Sequence, residues 1–187
     1  MPILPQEPDT FPEDLLSPTR LEELAEGRWW ALYTLPRREK ELVRRLRRMG
    51  VWHYCPLVCR RYRSPSGRAR SVWTPLFPGY VFLAGTEMDR YQAMTTQCVS
   101  RSLEVPDEVE LIHDLRQIQR LIASGMALTP EAQLEAGHRV RIRSGALAGL
   151  EGVVIRRRSG DRLLVAVQFL QKGASVEIAD FQLERID

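Results

Sequence analysis

The sequence predicts an α+β chain, with an α/β layer domain followed by a small all-β unit. Three observations predict it. Residues 28–123 alternate apolar strand-like runs with strongly periodic helical segments. Residues 137–187 hold five short apolar runs separated by Gly or polar turns. Six of the twelve glycines lie between 137 and 173, the density that tight bends in a small barrel require.

The elements follow in order. Residues 1–27 hold five prolines and no strong periodicity, and read as a mostly disordered acidic leader with a short helical turn at 17–26. WWALYT reads as a buried strand, and Pro36 breaks it. Leu42, Val43, Leu46 and Met49 fall at helical spacing, with Glu39 and Glu41 near the helix start and Gly50 as its stop. VWHYCPLV is a second strand. RRYRSPSGRARS is a basic hairpin-like excursion turning at 64–67. PLFPGYVFLAG is a third core strand. A short helix is expected at 87–94 and a strand at 97–105. Pro106-Asp107 opens a helix whose stripe is Leu111, Ile112, Leu115, Ile118, Leu121 and Ile122. Residues 124–136 read as a linker, and five strands complete the chain.

The chain has 187 residues and a net charge of +3, which hides a strong asymmetry. Residues 1–27 carry seven acids against one arginine, a net −6. Residues 28–75 carry thirteen basic residues against two acids, a net +11. Residues 76–136 carry −5 and residues 137–187 carry +3. The +11 block is an electrostatic footprint for polyanions. No run approaches the roughly 18 apolar residues of a membrane span. The acidic, proline-rich start lacks the pattern of a signal peptide, and three cysteines are an odd count for a secreted disulfide framework. A cytoplasmic monomer that does not engage membranes is expected.

GHRVRIRSGALAGLEGVV, residues 137–154, resembles a KOW motif, with Gly137, Gly145, Gly149 and Gly152 as its glycines. WWALYTLPRREKELVRRL followed by PLFPGYVFL resembles the N-terminal domain of NusG. In this order the two units, 28–123 and 137–187, are similar to the NusG/RfaH family of bacterial elongation and antitermination factors. LYTLPRREK resembles the specialised paralogues more than the housekeeping form. However, Asp89-Arg90-Tyr91 does not match the polar gate-loop motif of the RfaH type, and Cys98-Val99 replaces the usual Gly-Val.

The resemblance implies a ferredoxin-like N-terminal domain and a five-stranded SH3-like KOW barrel. It implies a surface for the clamp helices of RNA polymerase's largest catalytic subunit at Tyr33, Phe77, Tyr80 and Phe82. Strand alternation across FPGYVFL puts Phe77 with Val81 and Tyr80 with Phe82 on opposed faces, so some of these are core. Arg37, Arg38, Arg44 and Arg45 of the first helix, with Arg60, Arg61, Arg63, Arg68 and Arg70 of the hairpin, would lie near non-template DNA or nascent RNA. Suppressed pausing or termination is the implied outcome, and the barrel would recruit a ribosomal protein or a termination factor. The alternative is a general KOW-type RNA-binding or ribosome-associated module.

Other chemistry is thin. Cys55-x3-Cys59 with His53 lacks a second ligand pair for zinc. The glycines of GALAGLEG lack the Lys-Ser/Thr of a phosphate loop. No nucleophile–base pair stands out. No cofactor, metal or enzymatic activity is expected.

Overall fold

The computed structural model describes residues 6–24, 27–63, 65, 67, 69–178 and 182–186. The chain divides into two compact units, Met1–Pro106 and Asp107–Asp187. Among the described residues no helix is long and apolar enough to cross a membrane.

The first unit contains β1 (Thr10–Phe11), α1 (Pro18–Glu23), β2 (Arg28–Thr34), α2 (Glu39–Arg48), β3 (Trp52–Tyr54), β4 (Leu57–Arg63), β5 (Ala69–Pro75), β6 (Tyr80–Gly85), α3 (Glu87–Thr95) and β7 (Val99–Glu104). Five of the strands form one antiparallel sheet in the order β1-β3-β6-β2-β7. Strands β4 and β5 pair only with each other. Strand β2 is an interior strand paired with β6 and β7, and its Trp29, Trp30, Ala31 and Leu32 are all buried. Leu42, Val43 and Leu46 of α2 close one face of the sheet against Trp30, Leu32, Val81 and Leu83. Helix α3 starts on a reciprocal cap, in which Thr86 and Asp89 bond each other's backbone N–H.

The leader departs from expectation. Ser17 caps α1 with its side chain, as the short turn predicts, but the segment before it is ordered. Thr10 and Phe11 pair with Tyr54 and His53 of β3, and Asp9 O accepts the Cys55 N–H at 2.7 Å. Leu15 and Leu16 are buried. These apolar groups offset the ordering entropy, and low periodicity hid them because they act singly. The expected second strand is also cut short. It ends at Tyr54, and β4 starts afresh at Leu57 beyond Pro56, which has no N–H for a ladder.

The second unit contains α4 (Glu108–Ala123), β8 (Thr129–Glu131), β9 (Arg139–Ile142), β10 (Glu151–Arg157), β11 (Gly160–Val167), a 3-10 turn (Gln168–Leu170), β12 (Lys172–Glu177) and β13 (Leu183–Arg185). Its antiparallel sheet has the order β13-β9-β10-β11-β12-β8. The five strands expected after residue 137 are present, and a sixth, β8, comes from the presumed linker. Strand β8 is fixed by polar contacts. Glu131 accepts from Ser175 Oγ at 2.6 Å and from Arg157 at 3.1 Å. The buried Arg162 reaches Thr129 Oγ1, Ser175 Oγ and Ser175 O. Helix α4 forms where expected, capped by Asp107, but it belongs to the second compact unit and not to the first. Asp114 accepts the Gln168 N–H at 2.8 Å, and Arg120 donates to Ala148 O.

Candidate functional site

The FPGY segment forms a tight turn. The Tyr80 N–H donates to Phe77 O at 3.1 Å, Pro78 takes the second position, and Gly79 takes the third at φ +86°. That is the type II pattern, which needs positive φ at the third residue. The turn is tied from two sides. The Gly79 N–H donates to the buried Glu39 Oε1 at 2.7 Å, and Gly79 O accepts the Thr34 N–H at 2.8 Å. A Cβ on Gly79 would sit 3.2 Å from the Tyr33 ring.

This anchoring presents two aromatic rings. Tyr33 and Tyr80 are cross-strand partners with centroids 5.2 Å apart in an edge arrangement. The Arg101 guanidinium lies 5.0 Å from the Tyr33 ring centroid. Both tyrosines are half-buried and Arg101 is exposed. The result is a rigid amphipathic patch with a cation beside it. Sequence reasoning missed Arg101. The register that sets Tyr33 opposite it across β2 and β7 has no local signal.

Two of the four aromatics expected at this surface are core residues instead. Phe77 is 2% exposed and Phe82 is 0% exposed, and their rings pack edge to face at 6.4 Å. The turn resets the alternation, so Phe77 joins Phe82 rather than Val81.

The helix and hairpin arginines differ in what already holds them. Just before α2, Arg38 pairs with Glu41, and on the helix Arg45 bonds Glu41 at 2.6 Å and Thr96 O at 2.9 Å. Arg44 pairs with Glu7 at 2.6 Å, and Arg47 donates to Thr10 O at 2.6 Å. The hydrogen bonds from Arg38, first, and Arg45 hold the Glu41 carboxyl below the usual range. Arg37 is exposed at φ +63°. By contrast, Arg60, Arg61 and Arg63 of β4 are exposed, and no carboxylate among the described residues pairs with them.

The ribbon's register places Arg60 opposite Val72, Arg61 opposite Ser71 and Tyr62 opposite Arg70. Tyr62 is 48% exposed and Val72 is 42% exposed. Tyr62 and Val72 therefore share a face with Arg60, a cationic and partly apolar surface that suits backbone phosphates and bases. At the ribbon's base Trp73 packs on the core of the unit. Arg68 and the side chain of Arg70 lie outside the described residues.

His53 is packed in β3, as expected. Its Nδ1 is 2.8 Å from Val51 O, and burial pushes its pKa down to about 4. In the second unit, Gly145 and Gly149 shape the β9–β10 connection at positive φ. Gly137 and Gly152 sit where backbones nearly touch, and a Cβ there would lie 2.4 Å from Val154 O or 2.5 Å from Leu164 O.

Comparison with known proteins gives three findings. No curated protein matches the chain. A solved structure described as domain interaction in Thermotoga maritima NusG shares 18% identity, covering 88% of this chain and 99% of that one, with a TM-score of 0.47. The family model described as transcription termination factor nusG matches residues 27–135. That match takes in the anchored turn, the tyrosine pair and the basic ribbon, and it spans more than half the sequence, so the chain belongs to the NusG family.

Proposed function

We propose that this protein is a specialised transcription elongation or antitermination factor. It docks on the clamp helices of RNA polymerase's largest catalytic subunit through Tyr33, Tyr80 and Arg101, and it suppresses pausing or termination. The observation that carries this reading is the anchored tyrosine pair inside the NusG-matched segment. Rigid aromatics with a polar tip bury large areas at low entropic cost, as an interface anchor must.

Several further features support the reading. Leaving aside β1, α1 and the β4–β5 ribbon, the first-unit order β2-α2-β3-β6-α3-β7, with strands arranged β7-β2-β6-β3, fits a ferredoxin-like domain. The ribbon arginines would contact non-template DNA or nascent RNA beside the polymerase. The glycine-shaped second unit fits a KOW barrel that recruits a ribosomal protein or a termination factor. The protein would act as a cytoplasmic monomer.

A polymerase pull-down tests this. Wild type should capture polymerase, and Tyr33→Ala/Tyr80→Ala should lose at least about tenfold in capture while keeping its circular dichroism spectrum. Phe77→Ala should instead lose about 3–5 kcal/mol of stability, because it is core. The unpaired arginines of β4 favour a second reading, a general RNA-binding module. Wild type that binds RNA with steep salt dependence but captures no polymerase would establish that reading and overturn the first.

A further inference from the structure

Residues 6–24 precede the NusG-matched segment, yet they are built into the first unit. Their contact with α2 has a specific chemistry. The Glu7 carboxylate accepts from Arg44 Nε at 2.8 Å and from Arg44 Nη2 at 2.6 Å, a two-pronged contact. Three residues on, Thr10 O accepts from Arg47, whose guanidinium lies 5.4 Å from the Phe11 ring centroid. Phe11 in turn stacks on His53 at 6.0 Å.

The segment thus sets anionic and carbonyl oxygens on consecutive turns of a cationic helix. A guanidinium grips a carboxylate and a phosphate with the same planar fork. The Arg44–Glu7 pair is also open to exchange. Its side chains are 55% and 34% exposed, so water and salt screen it. A polyanion that brings many phosphates can displace one carboxylate.

We propose that Glu7 is an internal stand-in for the DNA backbone on α2. In the free protein it occupies Arg44, and duplex DNA drawn to the first unit takes its place. Duplex DNA is the partner because the other cationic element of this unit is a two-stranded ribbon, a shape the major groove of B-DNA admits. The proposal rests on the reading that this unit works beside nucleic acid, but its test needs no polymerase.

Binding of the full-length protein to a fluorescent duplex of arbitrary sequence would be measured by anisotropy over a salt series starting near 50 mM. Glu7→Gln should bind about 3–10-fold tighter than wild type, with a salt slope steeper by about 0.9, the value of one added phosphate contact. Glu13→Gln removes the same charge from an exposed leader position and controls for net charge. Arg44→Gln should weaken wild type less than it weakens the Glu7→Gln variant, and the two Arg44→Gln proteins should bind alike. Unchanged melting temperatures confirm that each variant folds.

The proposal is overturned if Glu7→Gln binds no tighter than Glu13→Gln. It also fails if Arg44→Gln weakens wild type as much as it weakens the Glu7→Gln variant. A gain seen on single-stranded RNA and not on the duplex would overturn the DNA assignment. Failure of every variant to bind the duplex would sink the proposal and leave the polymerase pull-down to decide the function separately.

Discussion

Asp114 shows how much one buried carboxyl can carry. It is 8% exposed on α4 and accepts the Gln168 N–H. Burial raises its pKa to about 6, opposed first by the Gln168 N–H and then by His113 and Arg139, while Glu110 adds to the rise. An acid whose folded pKa is raised is most stabilising while protonated. Its contribution is therefore complete below the unfolded value near 4 and is lost as pH rises through about 6. Asp114→Asn keeps the acceptor and removes the charge. It should stabilise the protein at pH 7.5 by about 1–2 kcal/mol and flatten the dependence of Tm between pH 4 and 6. Thermal melts across that range check this, and a variant less stable than wild type at pH 7.5 would refute it. At this scale the sequence was readable where chemistry is local, as in Asp107 capping α4. It was unreadable where a turn changes phase. Tyr33, Phe77, Tyr80 and Phe82 were all visible as aromatics, but which of them face water depends on the turn at Gly79.

The leader, residues 6–24, is the element that sequence patterns described worst. Its contacts are single side chains seated on a surface that other elements create, so no period announces them. Leu15 is fully buried, and Leu15→Ala should cost about 2–4 kcal/mol of first-unit stability. Urea unfolding followed by tryptophan fluorescence measures it. A change below about 0.5 kcal/mol would return the segment to the disordered leader that composition suggests. Strands β2 and β6 and helices α2 and α4 were legible because each carries a dense apolar stripe or run. The ribbon was legible as a basic excursion, and the unpaired arginines of β4 accord with the absence of acids between residues 42 and 86. Strand β8 was not legible. Its partners Arg162 and Ser175 lie more than thirty residues away.

Across the whole molecule, charge is unevenly committed. The arginines of α2 are largely engaged within the protein, whereas those of β4 face solvent unpaired. Salt-dependent DNA affinity should therefore follow the ribbon. Arg60→Gln/Arg61→Gln should reduce the magnitude of the log–log salt slope by about 2, whereas Arg156→Gln/Arg158→Gln in the second unit should leave it unchanged. Equal losses from both pairs would show that binding reads bulk charge only. The order of strands was legible across most of the chain, and α4, expected with the first domain, falls in the second compact unit. The two-residue strand β1 also bears on how this molecule behaves in a crowd. It covers the outer edge of β3 and is flanked by Pro8 and Pro12, neither of which can donate a backbone hydrogen bond. A sheet that ends in so short a strand gives an incoming chain little ladder to extend. The segment is thereby a guard against fibre growth, and a molecule clipped before residue 12 would expose β3 as a template for its neighbours.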